Sequence, residues 1–177
     1  MEYKNIKGVP DFSCKEYSEK KNKYCLCIPI INEKDNIRLE LMRARMNKVH
    51  TVVDIIICDG GSTDGGTDDD VMEALGVNTL LTKRGPGKQG AQLRMGFYWA
   101  LKRGYEGIIT IDGNNKDSIE DVPKFIEKLD EGYDFVQGSR FIAGGPRGHC
   151  LMYKPISKHS LCTCHTPGAS VKVGMLP

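Results

Sequence analysis

Two almost uninterrupted apolar runs, residues 24–31 (YCLCIPII) and 51–58 (TVVDIIIC), constrain this chain more than any other feature. A strand with one face in water alternates apolar and polar residues. A strand apolar at nearly every position has both faces covered, as in a parallel sheet between two layers of helices. Shorter runs at 77–82, 107–111 and 133–136 are read in the same way. Between the runs, apolar residues recur at helical spacing: Leu39, Leu41, Met42 and Met46 within 35–48; Met72 and Leu75; Ala91, Leu93, Met95, Trp99, Ala100 and Leu101 within 89–103; and Val122, Phe125, Ile126 and Leu129 beyond Ser118. Gly104 is placed to end the third helix, and Ser118 to cap the fourth, with Pro123 in or near its first turn. Strand and helix alternate, which predicts a three-layer α/β/α sandwich around a mostly parallel sheet.

A chain of 177 residues supplies one core of ordinary size, so a single globular unit is expected. Its parts are read as a polar N-terminal extension (1–22), the α/β domain (23–145) and an irregular tail (146–177) in which Gly, Pro, His, Cys and Lys follow no period. A net charge of +2 gives no broad positive field and argues against a nucleic-acid partner. The seven cysteines, several inside apolar runs, suit reduced thiols in the cytoplasm better than a disulfide framework. The first 23 residues lack the apolar stretch of a signal peptide, and no segment approaches the roughly 20 apolar residues of a membrane helix. A cytoplasmic protein, at most peripheral on a membrane, is expected.

In an open α/β sheet, ligands bind beyond the carboxyl ends of the strands, where the loops diverge. Glu33 follows the first run, Asp59 the second and Asp112 the fourth, so all three carboxylates fall on that edge. Taken singly, such acids cap turns and helices; as a set they describe a site. Elsewhere, Leu41, Met42, Met46 and Trp99 are read as core, and the acids at 68–70 as residues favouring the positive end of a helix.

The flanks of these acids carry a resemblance. Ile28-Pro29-Ile30-Ile31-Asn32-Glu33 is similar to the opening Pro-x-x-Asn-Glu of family 2 glycosyltransferases of the GT-A fold. Asp59-Gly60-Gly61-Ser62-Thr63-Asp64-Gly65 is similar to their Asp-Asp-Gly-Ser-x-Asp-Gly loop, and Gly87-Lys88-Gln89-Gly90-Ala91 to their Gly-Lys-Gly-x-Ala helix entry. Ile111-Asp112-Gly113-Asn114 stands where they carry Asp-x-Asp, and Gly138-Ser139-Arg140 where many carry Gly-Ser-Arg. All five motifs occur in family order, and polyprenyl-phosphate sugar transferases are the nearest subgroup.

The resemblance implies a UDP- or GDP-sugar donor, with an acceptor such as a lipid phosphate or a polysaccharide of the cell envelope. It implies donor contacts at Pro29, Glu33, Asp59, Lys88, Asp112 and Arg140, with Asp59 accepting hydrogen bonds from the base. Mg²⁺ or Mn²⁺ would sit at Asp112 and Asn114, easing departure of the nucleoside diphosphate. Gly60 in place of the second acid, and Asn114 in place of the second Asp, are departures from the pattern that point to weaker metal binding, with Asp117 as a substitute ligand. The reaction implied is direct displacement with inversion. The region that usually carries the general base is replaced by the tail, so no catalytic residue is assigned, and a nucleotide-holding chain without efficient transfer stays open. So do homo-oligomerisation and peripheral membrane contact.

Two further patterns compete. Gly85-Pro86-Gly87-Lys88-Gln89-Gly90 matches the Gly-x-Gly-x-x-Gly fingerprint of NAD(P)-binding oxidoreductases, although as the third strand-turn-helix unit rather than the first. His149, Cys150, His159, Cys162, Cys164 and His165 resemble a soft-metal set, but without paired Cys-x-x-Cys spacing, and are read as incidental.

Overall fold

The computed structural model describes residues 1–138 together with 151–152 and 172–175. Its centre is β3 (Tyr24–Ile30), parallel to β4 (Asp54–Asp59) on one side and to β6 (Gly107–Thr110) on the other, with β5 (Val77–Lys83) parallel to β4. Every residue of β3 and β4 is buried, as expected of strands covered on both faces. Helices α1 (Lys34–Met46), α2 (Asp69–Ala74), α3 (Gln89–Lys102) and α4 (Val122–Asp130) connect or follow these strands.

The two faces of β3 divide its side chains. Leu26, Ile28 and Ile30 pack with Ile37, Leu41 and Ala44 of α1, Met72 of α2 and Phe125 and Leu129 of α4. Cys25 and Cys27 face the other way, toward Cys58, Met95 and Trp99. The three-layer α/β/α architecture follows from this division. Cys14, Cys25, Cys27 and Cys58 are free and buried. Asp54, the one charged residue in the second apolar run, accepts hydrogen bonds from the backbone N–H groups of Lys21 and Asn22 (2.9 and 3.2 Å), the Asn22 amide (2.8 Å) and the Tyr105 hydroxyl (2.8 Å). Its burial is thereby compensated.

Several elements differ from the sequence reading. The stretch before residue 23 forms β1 (Glu2–Tyr3) and β2 (Phe12–Glu16), which extend the sheet antiparallel beside β5. Phe12 and Cys14 point inward, and Tyr3 stacks on Phe12 with ring centroids 4.7 Å apart. Within the expected irregular tail, β9 (Lys172–Met175) inserts antiparallel between β6 and β7 (Phe135–Gly138), and β8 (Leu151–Met152) pairs with β7. These segments are short, and only β2 alternates apolar and polar residues; the unpaired backbone groups of the neighbouring strands supply the reason to extend. Val49–Thr51 is a 3₁₀ turn instead of the start of β4. Ser118 precedes another 3₁₀ turn (Ile119–Asp121) and makes no side-chain cap, while Pro123 does fall in the first turn of α4. Leu41 and Trp99 are core, but Met42 and Met46 are exposed, on the outer face of α1 with Leu39. Gly104, with φ +68°, ends α3. Among the described residues, no helix is long and apolar enough to cross a membrane.

Close approach of α3 to the sheet depends on Gly96. A Cβ there would lie 2.6 Å from Cys58 Sγ and 3.2 Å from Cys27 Sγ. In Gly96→Ala, the gain in helix propensity of about 1 kcal/mol is opposed by overpacking of about 1–3 kcal/mol. The expected result is net destabilisation, read as a lower urea midpoint.

Candidate functional site

The carboxyl ends of β4, β3 and β6 and the first turn of α3 surround an open cleft of about 430 Å³. From β3 and its loop come Pro29, Ile30, Ile31 and Glu33; from β4, Gly60; from β5, Lys83; from the turn into α3, Gly87, Lys88, Gln89 and Gln92; from the β6 loop, Asp112, Gly113 and Asn114. Gly87 has φ +107°, and a Cβ there would lie 2.6 Å from that of Ala91, so the entry to α3 requires glycine.

Side chains tie the loops after β3 and β4 together. Asn32 donates its backbone N–H to Ser62 Oγ (2.9 Å) and accepts the Thr63 N–H on Oδ1 (2.9 Å). Asp64 accepts the N–H groups of Lys34 (2.9 Å) and Gly66 (2.9 Å). Glu33 accepts from Asn36 Nδ2 at 2.6 Å while lining the cleft, so it organises the start of α1 and remains partly accessible.

Asp59 is placed otherwise than a base contact requires. It is 1% exposed, does not line the cleft, and takes the Ser62 N–H (2.9 and 3.2 Å) and hydroxyl (2.6 Å). Its role here is to close the Asp-Gly-Gly-Ser turn. Lys88 is exposed at the N-cap of α3, beside the helix's unpaired N–H groups.

Asp112 is half-buried. Its Oδ1 accepts from Gln89 Nε2 at 2.6 Å, and its backbone N–H donates to Asp117 Oδ2 at 3.1 Å. Asn114 folds its Oδ1 onto the Lys116 N–H (3.1 Å). From α1, Arg43 grips the loop through Asn115 Oδ1 (2.7 Å), the Asp117 carbonyl (3.1 Å) and both Glu120 oxygens. Beside it, Glu40 is fully buried and neither of its carboxyl oxygens reaches a hydrogen-bond partner. Burial, then the Asp117 carboxylate, pushes the Glu40 carboxyl up to about 8, against the weaker pull of the Arg43 guanidinium.

Arg140 and the His/Cys set at 149–165 lie outside the described residues. Among the described residues, no cluster of three or more His, Cys, Asp or Glu side chains is arranged to hold a metal. The sequence reading missed Gln89, Gln92, Glu40 and Arg43. Two of these had a signal: Gln92 and Glu40 are polar residues on otherwise apolar helix stripes, beside Met95 and Trp99 in one case and Ile37, Leu41 and Ala44 in the other.

The profile described as Glycosyl transferase family 2 matches residues 25–167. The chain belongs to glycosyl transferase family 2. This assignment decides against the dinucleotide reading of residues 85–90. The family 2 chain is 31% identical over 121 residues to a polyprenol monophosphomannose synthase of Mycolicibacterium smegmatis, covering 67% of this chain and 45% of that protein. It is likewise 31% identical over 121 residues to an undecaprenyl-phosphate mannosyltransferase of Micrococcus luteus, covering 67% and 48%. A glucosyl-3-phosphoglycerate synthase of Mycobacterium tuberculosis, solved with Mn²⁺, UDP and glucosyl-3-phosphoglycerate, superposes with a TM-score of 0.49 at 21% identity, covering 63% of this chain and 42% of that one. The family 2 chain thus spans about half the length of the curated relatives it matches.

Glu40 makes stability pH-dependent. A group that binds its proton more tightly when folded favours the folded state at low pH, and that advantage is lost as pH rises from its ordinary 4.5 toward about 8. Each pH unit within the window is worth at most about 1.4 kcal/mol. Thermal unfolding in EDTA is expected to show Tm falling from pH 5 to pH 8, whereas Glu40→Gln flattens the profile and raises Tm at pH 8.

Proposed function

We propose that this chain holds the donor in a family 2 sugar transfer, from a UDP- or GDP-sugar to a polyprenyl phosphate or a cell-envelope polysaccharide. The observation that carries this reading is the meeting of Glu33, Lys88, Asp112 and Asn114 around one cleft at the carboxyl edge of the sheet. These residues come from three separate loops, each part of a family motif. The nucleoside lies beside Pro29 and Glu33. The diphosphate lies toward Lys88 and the first turn of α3, where an ammonium and unpaired N–H groups offset its charge.

A divalent cation, Mg²⁺ or Mn²⁺, fits at Asp112 and Asn114. One carboxylate and one amide oxygen are few ligands, but such cations are commonly held by one or two carboxylates together with substrate phosphates. The bound cation supplies charge neutralisation for the departing nucleoside diphosphate. Gln89 orients Asp112 by holding one of its oxygens, and Asp117 takes its backbone N–H. Arg140 is proposed as a phosphate contact, and Asp59 supports the base site through the turn it closes. Inversion at the anomeric carbon is the expected stereochemistry.

Two considerations favour a lipid phosphate as acceptor. The relatives named above are called polyprenol and undecaprenyl-phosphate mannose enzymes. A phosphate monoester, with a second pKa of about 6, also brings its own anionic nucleophile, so it needs less help from a general base than a sugar hydroxyl does. Peripheral contact with a membrane from the cytoplasmic side follows from such an acceptor.

In a thermal-shift series of nucleoside diphosphates with Mn²⁺, UDP or GDP is expected to stabilise the chain. Asp112→Ala should weaken that binding at least tenfold and remove its dependence on metal. Equal affinity in EDTA, or stabilisation by NAD(P) instead, would overturn the reading. Binding without transfer to polyprenyl phosphate assigns the chain to nucleotide holding alone.

A further inference from the structure

We propose that Gln92 reads the nucleobase, selecting one with a ring N–H beside a carbonyl, uracil or guanine, over cytosine and adenine. The inference rests on the donor-site reading above. It starts from a fixed side chain. Gln92 is 4% exposed, and its Nε2 donates to the Ile30 carbonyl and to the Cys58 carbonyl (3.0 Å), bridging the ends of β3 and β4. A flipped amide would set its oxygen against two carbonyl oxygens, so the orientation is forced. Both amide hydrogens are consumed by these carbonyls. Oε1 is the remaining polar atom, it has no protein partner among the described residues, and Gln92 lines the cleft.

The position of this acceptor matters. The family loop carries a second acid where this chain has Gly60, and a Cβ at Gly60 would lie 2.8 Å from Gln92 Nε2 and 3.2 Å from Ile31 Cβ. Gln92 occupies the space that a side chain at 60 would need. Asp59, the other acid of that loop, is committed to Ser62. With Nε2 held by the two strand-end carbonyls, Oε1 is the Gln92 atom left to accept from a ligand at the β4 end of the cleft.

Sheet order fixes which part of the donor meets it. β4 and β6 lie on opposite sides of β3, so Gly60 and Gln92 stand at one end of the cleft and Asp112 and Asn114 at the other. A diphosphate at Asp112 directs its nucleoside toward Gln92. Uracil N3 and guanine N1 carry a hydrogen there for an amide oxygen to accept. Cytosine N3 and adenine N1 present lone pairs, which repel it.

Titration calorimetry with Mn²⁺ on the full chain tests this with UDP, GDP, CDP and ADP. UDP or GDP should bind at least tenfold tighter than CDP and ADP, and Gln92→Met, similar in size but without the acceptor, should compress that ratio below threefold. A measurement on the unaltered chain removes the risk that the variant fails to fold: methylation at N3 of UDP, or at N1 of GDP, should weaken binding at least tenfold. Equal binding of the four diphosphates, or no effect of methylation, overturns the role of Gln92 alone. If none of the four binds, the donor-site reading falls and this inference with it.

Discussion

The structure depends on β3 being hydrogen-bonded on both edges and buried on both faces. Its parallel pairing with β4 and β6 brings three strand ends to one edge of the sheet, and the cleft is what their diverging loops leave open. The requirement for burial explains the composition of this strand, in which residues of alternate parity serve opposite helical layers. The same pairing leaves the terminal carbonyls of Ile30 and Cys58 close enough for one amide to bridge.

Around that edge, polar residues act first as braces. Asn32 with Ser62, and Asp64 with Lys34, lock the β3 and β4 loops to each other. Arg43 reaches from α1 to the loop carrying Asp112. Such hydrogen bonds hold groups in place before a ligand arrives, which lowers the ordering cost of binding. Glu40 belongs to this bracing layer but lacks a partner for either oxygen. Its raised pKa keeps the carboxyl neutral, which relieves its burial next to Asp117.

Much of the fold was legible because burial imposes period on sequence. The strands β3, β5 and β6 and the helices α1 and α3 were visible, to within a residue or two at their ends, from their apolar spacing alone. The short outer strands β1, β2, β7, β8 and β9 were less so: they pair antiparallel, and β2 and β9 reach the sheet by pairing with β5 and β6, which are far away in sequence. Met42 and Met46 show the opposite error: apolar residues at helical spacing need not all face the core, and these two lie on the outer side of α1.

For the cleft, the sequence alone determined which loops meet at the carboxyl edge and that Glu33, Lys88, Asp112 and Asn114 belong to them, because ligand-side loops of an alternating α/β chain lie together beyond the strand ends. Only the tertiary structure decided which polar groups face the cleft. Asp59 turns into its own loop because Ser62 offers it two donors three residues away. Gln92 comes to the cleft because two carbonyls, 62 and 34 residues distant along the chain, claim its amide hydrogens. Contacts at such separations leave no periodic trace in the sequence, and the direction of a polar side chain depends on them.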